Sequence, residues 1–255
     1  MRALLAFFTV LPVAAPGSSL EDAARRAYLL PLVGFLVGLP GAGLLLLAFV
    51  APPGVVATLA LGAALLAAGL HHTDGVMDVG DALMVRGSPA LRQEVLKDAR
   101  TGAGAVGALF VVYGPPLAAL AAFAANSPVR AAVALLAGEV AARSAMLLLL
   151  VFGRPATEDS SSAYFVRALI EGRRRAAALI LALALPSLVA LSLGPAALFV
   201  TLAALAATVL FALVLSRRAF EGISGDVSGA TGELARAVLL VALSIVVSCY
   251  TVPLC

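Results

Sequence analysis

The sequence predicts an all-α fold: a polytopic integral membrane helical bundle of about seven transmembrane helices with an N-terminal interfacial helix. Three observations predict it. Of 255 residues, 62% are hydrophobic and only 12% charged, about half the charge a soluble domain carries. The mean hydropathy is +1.09, which leaves too few polar groups to cover a water-soluble fold of this length. Seven apolar runs then alternate with polar connections, each run near the roughly 20 residues that a bilayer crossing needs.

The runs are Tyr28–Phe49, Val55–Leu70, Gly104–Ala125, Val129–Phe152, Ala176–Leu193, Pro195–Leu215 and Leu234–Val252. The second is short, so it is expected to extend into the polar segment behind it. Ahead of the first lies Ala3–Val13, which is too short to span and is interrupted by Pro12. An interfacial or re-entrant helix suits it better than a signal peptide cleaved after Ala14-Ala15.

Basic residues set the expected orientation. With the N-terminus inside, the long connections His71–Ala103, Gly153–Arg175 and Ser216–Glu233 are cytoplasmic and hold nearly all the Lys and Arg of the connecting segments. The outer turns contain only Arg130. A multi-pass cell-membrane protein with its polar connections facing the cytoplasm is therefore expected. The net charge of +3 is read as membrane orientation, with no nucleic-acid partner. Arg173–Arg175 and Arg217-Arg218 are read mainly as orientation anchors. Cys249 and Cys255 are too few for a disulfide framework and are expected to be inert. A single membrane-embedded domain over 1–255 is expected.

Three polar constellations carry the candidate chemistry. In His71-His72-Thr73-Asp74-Gly75-Val76-Met77-Asp78-Val79-Gly80-Asp81, the three aspartates fall at i, i+4 and i+7, on one helical face. Carboxylates so close repel unless a cation neutralises them, and hard oxygen ligands suit Mg²⁺ shared with substrate phosphates. Gly75 and Gly80 are expected to let a metal or phosphate approach the backbone. His71 falls on the aspartate face and His72 opposite; each is a candidate to orient a carboxylate or bind phosphate, or a plain interfacial residue. The second constellation, Lys97-Asp98-Ala99-Arg100-Thr101-Gly102, pairs a further acid with two cations suited to phosphate oxygens. The third, Gly225-Asp226-Val227-Ser228-Gly229-Ala230-Thr231-Gly232-Glu233, puts an acid beside the membrane; Gly225 and Gly229 also read as a packing pair. Arg143 lies within an apolar run four residues after Glu139 and is either a functional cation or half of a structural ion pair. There is no phosphate-binding loop ending in Lys-Ser/Thr and no nucleophile elbow or metalloprotease motif, so metal, phosphate and positioning are what remain.

These residues resemble the cobalamin synthase family, the adenosylcobinamide-GDP ribazoletransferases. His72-Thr73-Asp74-Gly75 with Asp78 and Asp81 resembles its His-x-Asp-Gly stretch and the aspartates that follow. Lys97–Gly102 is similar to its Lys/Arg-Asp-Ser-Arg-x-Gly, with Ala99 in place of Ser. Gly225-Asp226, Gly229-Ala230 and Glu233 resemble its late motif, and Phe8–Val13 its early Phe-x-Thr-Arg-Leu-Pro-Val, with Val10 in place of Arg. The resemblance favours His72 over His71. It implies that α-ribazole, or its 5′-phosphate, attacks the phosphorus nearest cobinamide in adenosylcobinamide-GDP, that GMP leaves, and that Mg²⁺ is the cofactor. Asp74, Asp78 and Asp81 are then the expected metal ligands, and Asp98, Asp226 and His72 the expected catalytic residues. Lys97, Arg100, Arg143 and Glu233 are the expected substrate contacts. The partners implied are the corrinoid nucleotide, α-ribazole and the lipid bilayer; a homo-oligomer is left open. CDP-alcohol phosphotransferases fit less well, because Met77-Asp78 stands where their pattern needs Ala-Arg. UbiA-type prenyltransferases need a second Asp four residues after Asp226, and a transporter would not need three aligned aspartates.

Overall fold

The computed structural model describes residues 1–13, 19–98 and 100–249; Ala14-Ala15, Ala99 and Cys255 lie outside the described residues, as does the side chain of Cys249. The described chain is all-helical. Two short amphipathic helices, α1 (Arg2–Phe8) and α2 (Leu20–Ala24), precede α3 (Leu30–Leu45), which is extended by a 3-10 turn at each end. Then follow α4 (Pro53–Ala68), α5 (His71–Met84), α6 (Pro89–Val95), α7 (Ala103–Asn126) and α8 (Pro128–Phe152). The last four are α9 (Ser161–Ala168), α10 (Gly172–Leu191), α11 (Pro195–Ala219) and α12 (Gly225–Cys249). Proline stands in the first turn of α4, α6, α8 and α11, where its missing N–H has no helical acceptor to lose.

Among the described residues, six segments are long and apolar enough to cross a membrane: Ala27–Phe49, Ala103–Asn126, Pro128–Phe152, Gly172–Leu191, Pro195–Ala219 and Gly225–Val246. A seventh crossing is reached only if α4 and α5 are counted together as one bent span. Contrary to the expected extension, α4 does not run straight into the polar segment: Gly69 (φ 87°) and Leu70 (φ 60°) are both left-handed, and α5 leaves at 95° to α4. Glycine adopts that conformation freely and Leu does so at a cost. At 16 residues α4 is about 24 Å long. It stops short of the usual hydrocarbon thickness, and α5 turns onto the polar face of the bundle. The last crossing begins at Gly225 rather than Leu234, so the polar stretch 225–233 is the first part of α12.

At the centre is α8, 89% buried over its most apolar window. It is packed by α3, α10, α11 and α12. Glycines let α3 and α12 approach it closely: Gly34 and Gly38 of α3 face Glu139, and Gly138 faces the Arg236 stem. Close approach through small residues is how membrane helices gain packing energy when lipid is as apolar as the core. As expected of an interfacial segment, α1 buries Leu4 and Phe8 against the bundle. Phe8 meets the rings of Phe165 and His72.

Candidate active site

The three polar constellations converge around α5. At one point α5 crosses α12, and neither helix could do so with larger residues. A Cβ at Gly75 would lie 2.7 Å from the Asp226 carbonyl oxygen, and one at Gly229 would lie 3.1 Å from the His72 Cα. Farther along, Gly80 meets Gly104 and Ala108 of α7. This corrects the expectation that Gly75 and Gly80 open the backbone to a metal or phosphate. Both positions are filled by neighbouring helices, and what they admit is α12 and α7. Gly229 has the packing role read from the sequence, whereas Gly225 meets only the Ser161 hydroxyl at 3.8 Å.

The aspartates are exposed at Asp74 and half-buried at Asp78, Asp81 and Asp226. The Asp78 carboxyl is pushed up to about 6, first by burial and then by the negative charges of Asp74, Asp226 and Asp81. Asp78 thus lies in a negative field to which the other three carboxylates contribute. Among the described residues, no three acidic, His or Cys side chains are yet drawn to one metal-holding point. The donor set fits a hard divalent cation: acidic oxygens, mutual repulsion and partial exposure. Asp81 differs from the other three. Its Oδ2 accepts from Gly102 N–H at 2.6 Å and its Oδ1 from Ala105 N–H at 2.8 Å. It thereby satisfies free donors at the start of α7 and ties the second constellation to the first.

In the second constellation, Arg100 and Asp98 pair through Arg100 Nη2 and Asp98 Oδ2 at 2.7 Å. The hydrogen bonds from Arg100 hold the Asp98 carboxyl below its ordinary range. Lys97 and Arg100 are exposed. This pair sits near the site through Gly102, with its cationic groups turned to solvent.

Beside the aspartates lies a cavity of about 380 Å³, lined by His71, His72, Asp226 and Ser228 and closed by Phe8 of α1 and Phe165 of α9. His71 is exposed and His72 buried. The helix runs unbroken from His71 through Gly75, so helical geometry does put the two rings on different faces. The ring pointing away from the aspartate face is the one packed into the bundle. Burial, with Arg143 and Arg236 nearby, keeps His72 well below the usual histidine value.

Behind His72 is a fully buried ionic cluster that the sequence reading found only in part. Glu139 pairs with Arg143 at 3.4 Å, as the four-residue spacing suggested, and also with Arg236 at 2.8 Å. Arg236 pairs in turn with Glu233, whose Oε1 is 4.0 Å from His72 Nδ1. Arg236 lies over the Tyr113 ring at 5.5 Å, and the Tyr113 hydroxyl bonds Thr73 at 3.0 Å. Two carboxylates and two guanidiniums balance to zero charge. Arg143 and Glu233 were expected to touch substrate. Arg143 is completely enclosed and Glu233 is 1% exposed, and neither lines the cavity. Each is ion-paired within the cluster, while Arg143 Nη2 and Glu233 Oε1 have no hydrogen-bond partner among the described residues. Arg236, Tyr113 and Thr73 were missed. The available signal for Arg236 was its i+3 spacing from Glu233 inside an apolar run.

Fold and site together define a polytopic helical membrane protein with an acidic centre joined to exposed cations, a chemistry suited to phosphate esters. The family model for cobalamin-5-phosphate synthase (CobS) matches residues 1–244, and the chain belongs to that family. It is therefore an enzyme of cobalamin biosynthesis. Among its relatives, the adenosylcobinamide-GDP ribazoletransferase of Halorubrum lacusprofundi is 37% identical over 252 residues, covering 94% of each chain. That of Azorhizobium caulinodans is 35% identical over 252 residues, 95% of this chain and 94% of the relative. That of Pyrobaculum islandicum is 35% identical over 242 residues, 94% and 92%. No solved structure matches.

Proposed function

We propose that this chain joins α-ribazole, or its 5′-phosphate, to adenosylcobinamide-GDP, giving adenosylcobalamin, or its 5′-phosphate, and GMP. The observation that carries the reading is the convergence of Asp74, Asp81 and Asp226 on Asp78, whose carboxyl their negative charges raise. A diphosphate ester brings dense negative charge to such a place only with a cation between. We assign Asp74 and Asp78 to Mg²⁺, with Asp81 contributing through the lone pairs that α7 leaves unused. When bound, Mg²⁺ supplies neutralisation of the charge that develops on the phosphoryl oxygens.

The chain's own residues do the rest. Lys97 and Arg100 stand at the exposed rim and contact phosphate oxygens. The attacking hydroxyl must lose its proton as the bond to the phosphorus nearest cobinamide forms and the bond to the GMP oxygen breaks. Asp226 suits this role better than Asp98, because Asp226 lines the cavity whereas Asp98 is held in its charged, weakly basic form by Arg100. His72, whose ring lines the same cavity, orients the acceptor. Phe8 and Phe165 exclude water from it. With the basic residues placed on the polar-loop side, the site faces the cytoplasm. Cysteine placed at Ser161 and labelled by an impermeant reagent from outside would reverse that orientation.

Purified protein incubated with adenosylcobinamide-GDP, α-ribazole and Mg²⁺ should yield GMP and a cobalamin product by chromatography. Absence of both, with turnover instead of a CDP-alcohol or a prenyl diphosphate, would overturn the proposal.

A further inference from the structure

Away from the acidic centre, two adjoining hollows of about 350 and 490 Å³ share Arg25 and Arg174 and form one groove. Arg167 of α9 lines one part; Arg26 and Arg173 line the other. Five guanidinium groups from three separate segments thus face one depression. Arg25 has Glu21 at 3.9 Å and Arg174 has Glu171 at 3.0 Å, while Asp22 is occupied in the Ser19 capping box. Among the described residues, Arg26, Arg167 and Arg173 make no ion pair. The groove carries a surplus of three positive charges, the same as the net charge of the entire chain, +3.

Its position decides what anion it meets. The membrane-spanning segments Ala27–Phe49 and Gly172–Leu191 both begin at this groove, so it lies at the depth of the lipid headgroups. Tyr28 and Tyr164 wall it, and tyrosine is a residue of that interface. Arg167 is stacked on Tyr164 at 4.9 Å, which presents its guanidinium edge to a ligand.

We propose that this groove binds the phosphate headgroup of an anionic phospholipid and that its occupancy braces α9. The helix has two working faces: Tyr164, Arg167 and Ala168 line the groove, while Ser161, Ser162 and Phe165 line the cavity of the candidate site. Binding is independent of the reaction proposed above; only an effect on turnover rests on it.

The test is thermal unfolding of the full chain in vesicles of phosphatidylcholine, with and without phosphatidylglycerol. Phosphatidylglycerol should raise the melting temperature of the parent, and added salt should weaken that response. The triple variant Arg26→Gln/Arg167→Gln/Arg173→Gln should need on the order of a hundredfold more phosphatidylglycerol, from about fivefold for each arginine near an anionic surface. Arg217→Gln/Arg218→Gln, which removes charge at the end of α11, should respond like the parent. A loss of about 25-fold in the double variant, in proportion to its two charges, would mean general surface attraction and would overturn the site. The same stabilisation from inorganic phosphate in pure phosphatidylcholine would overturn the lipid assignment. No substrate enters the measurement, so failure of the transferase assay would leave its result standing.

Discussion

Asp78→Asn should stabilise the metal-free protein while disabling it. The Asp78 carboxyl lies at about 6 instead of 3.8, so the folded state holds its proton more tightly than the unfolded chain does. The sign follows: this contribution to stability is fully present below pH 3.8 and is lost as pH rises through about 6. The full displacement corresponds to about 3 kcal/mol. Asp78 is only half-buried and solvent screens its neighbours, so a penalty of about 1 kcal/mol at neutral pH is the expected remainder. Asn keeps the shape and discards the charge. In detergent with a chelator at pH 7.5, the variant should melt about 2–4 °C above the parent, and the two should converge as pH approaches 4. With Mg²⁺ the parent's deficit should shrink, because the repelling charges then have a partner. Turnover of the variant should fall by at least about a hundredfold, the scale of losing one preorganised electrostatic contact. A well-folded variant with an unchanged pH–stability profile and near-parent turnover would refute both the acidic field and the metal reading.

Two further outcomes test how the site is held. Gly75→Ala sets a methyl 2.7 Å from the Asp226 carbonyl and is expected to cost about 1–3 kcal/mol and to lower activity by shifting Asp226; Gly43→Ala, which meets nothing within 4 Å, is the control for helix propensity in a melting assay. Arg236→Leu leaves Glu139 and Glu233 with Arg143 alone to face. A loss of about 3–5 kcal/mol is expected, and parent-like melting in detergent would show that the buried cluster does not form.

The spans were legible because the bilayer imposes a length and a composition that one sequence displays directly. At the run 55–70 the helix was legible, and only its expected extension into the polar segment was not borne out. Hydropathy carries no mark for a change in direction, and the 95° turn depends on left-handed backbone at Gly69 and Leu70, of which only the glycine is a turn signal. The aspartate face of α5 was legible from its spacing alone. The function of the glycines was not. A glycine that admits a ligand and one that admits a helix look the same until the neighbouring helix is known. Arg143 and Glu139 were legible as charges in an apolar run, but the bond from Arg236 to Glu139 joins residues 97 positions apart, a distance no local pattern spans.

That separation bears on how the chain is made. α8 enters the bilayer well before α12 has been synthesised, and a lone Arg at the middle of a span costs about 2.5–3.5 kcal/mol to insert. Neither helix enters with a lone charge. α8 carries Glu139 and Arg143 one turn apart, and α12 carries Glu233 and Arg236 in the same relation. Each span can therefore partition as a self-neutralised unit and wait in lipid. The Glu139–Arg236 bond needs both helices in place, which makes it a latch between two inserted spans.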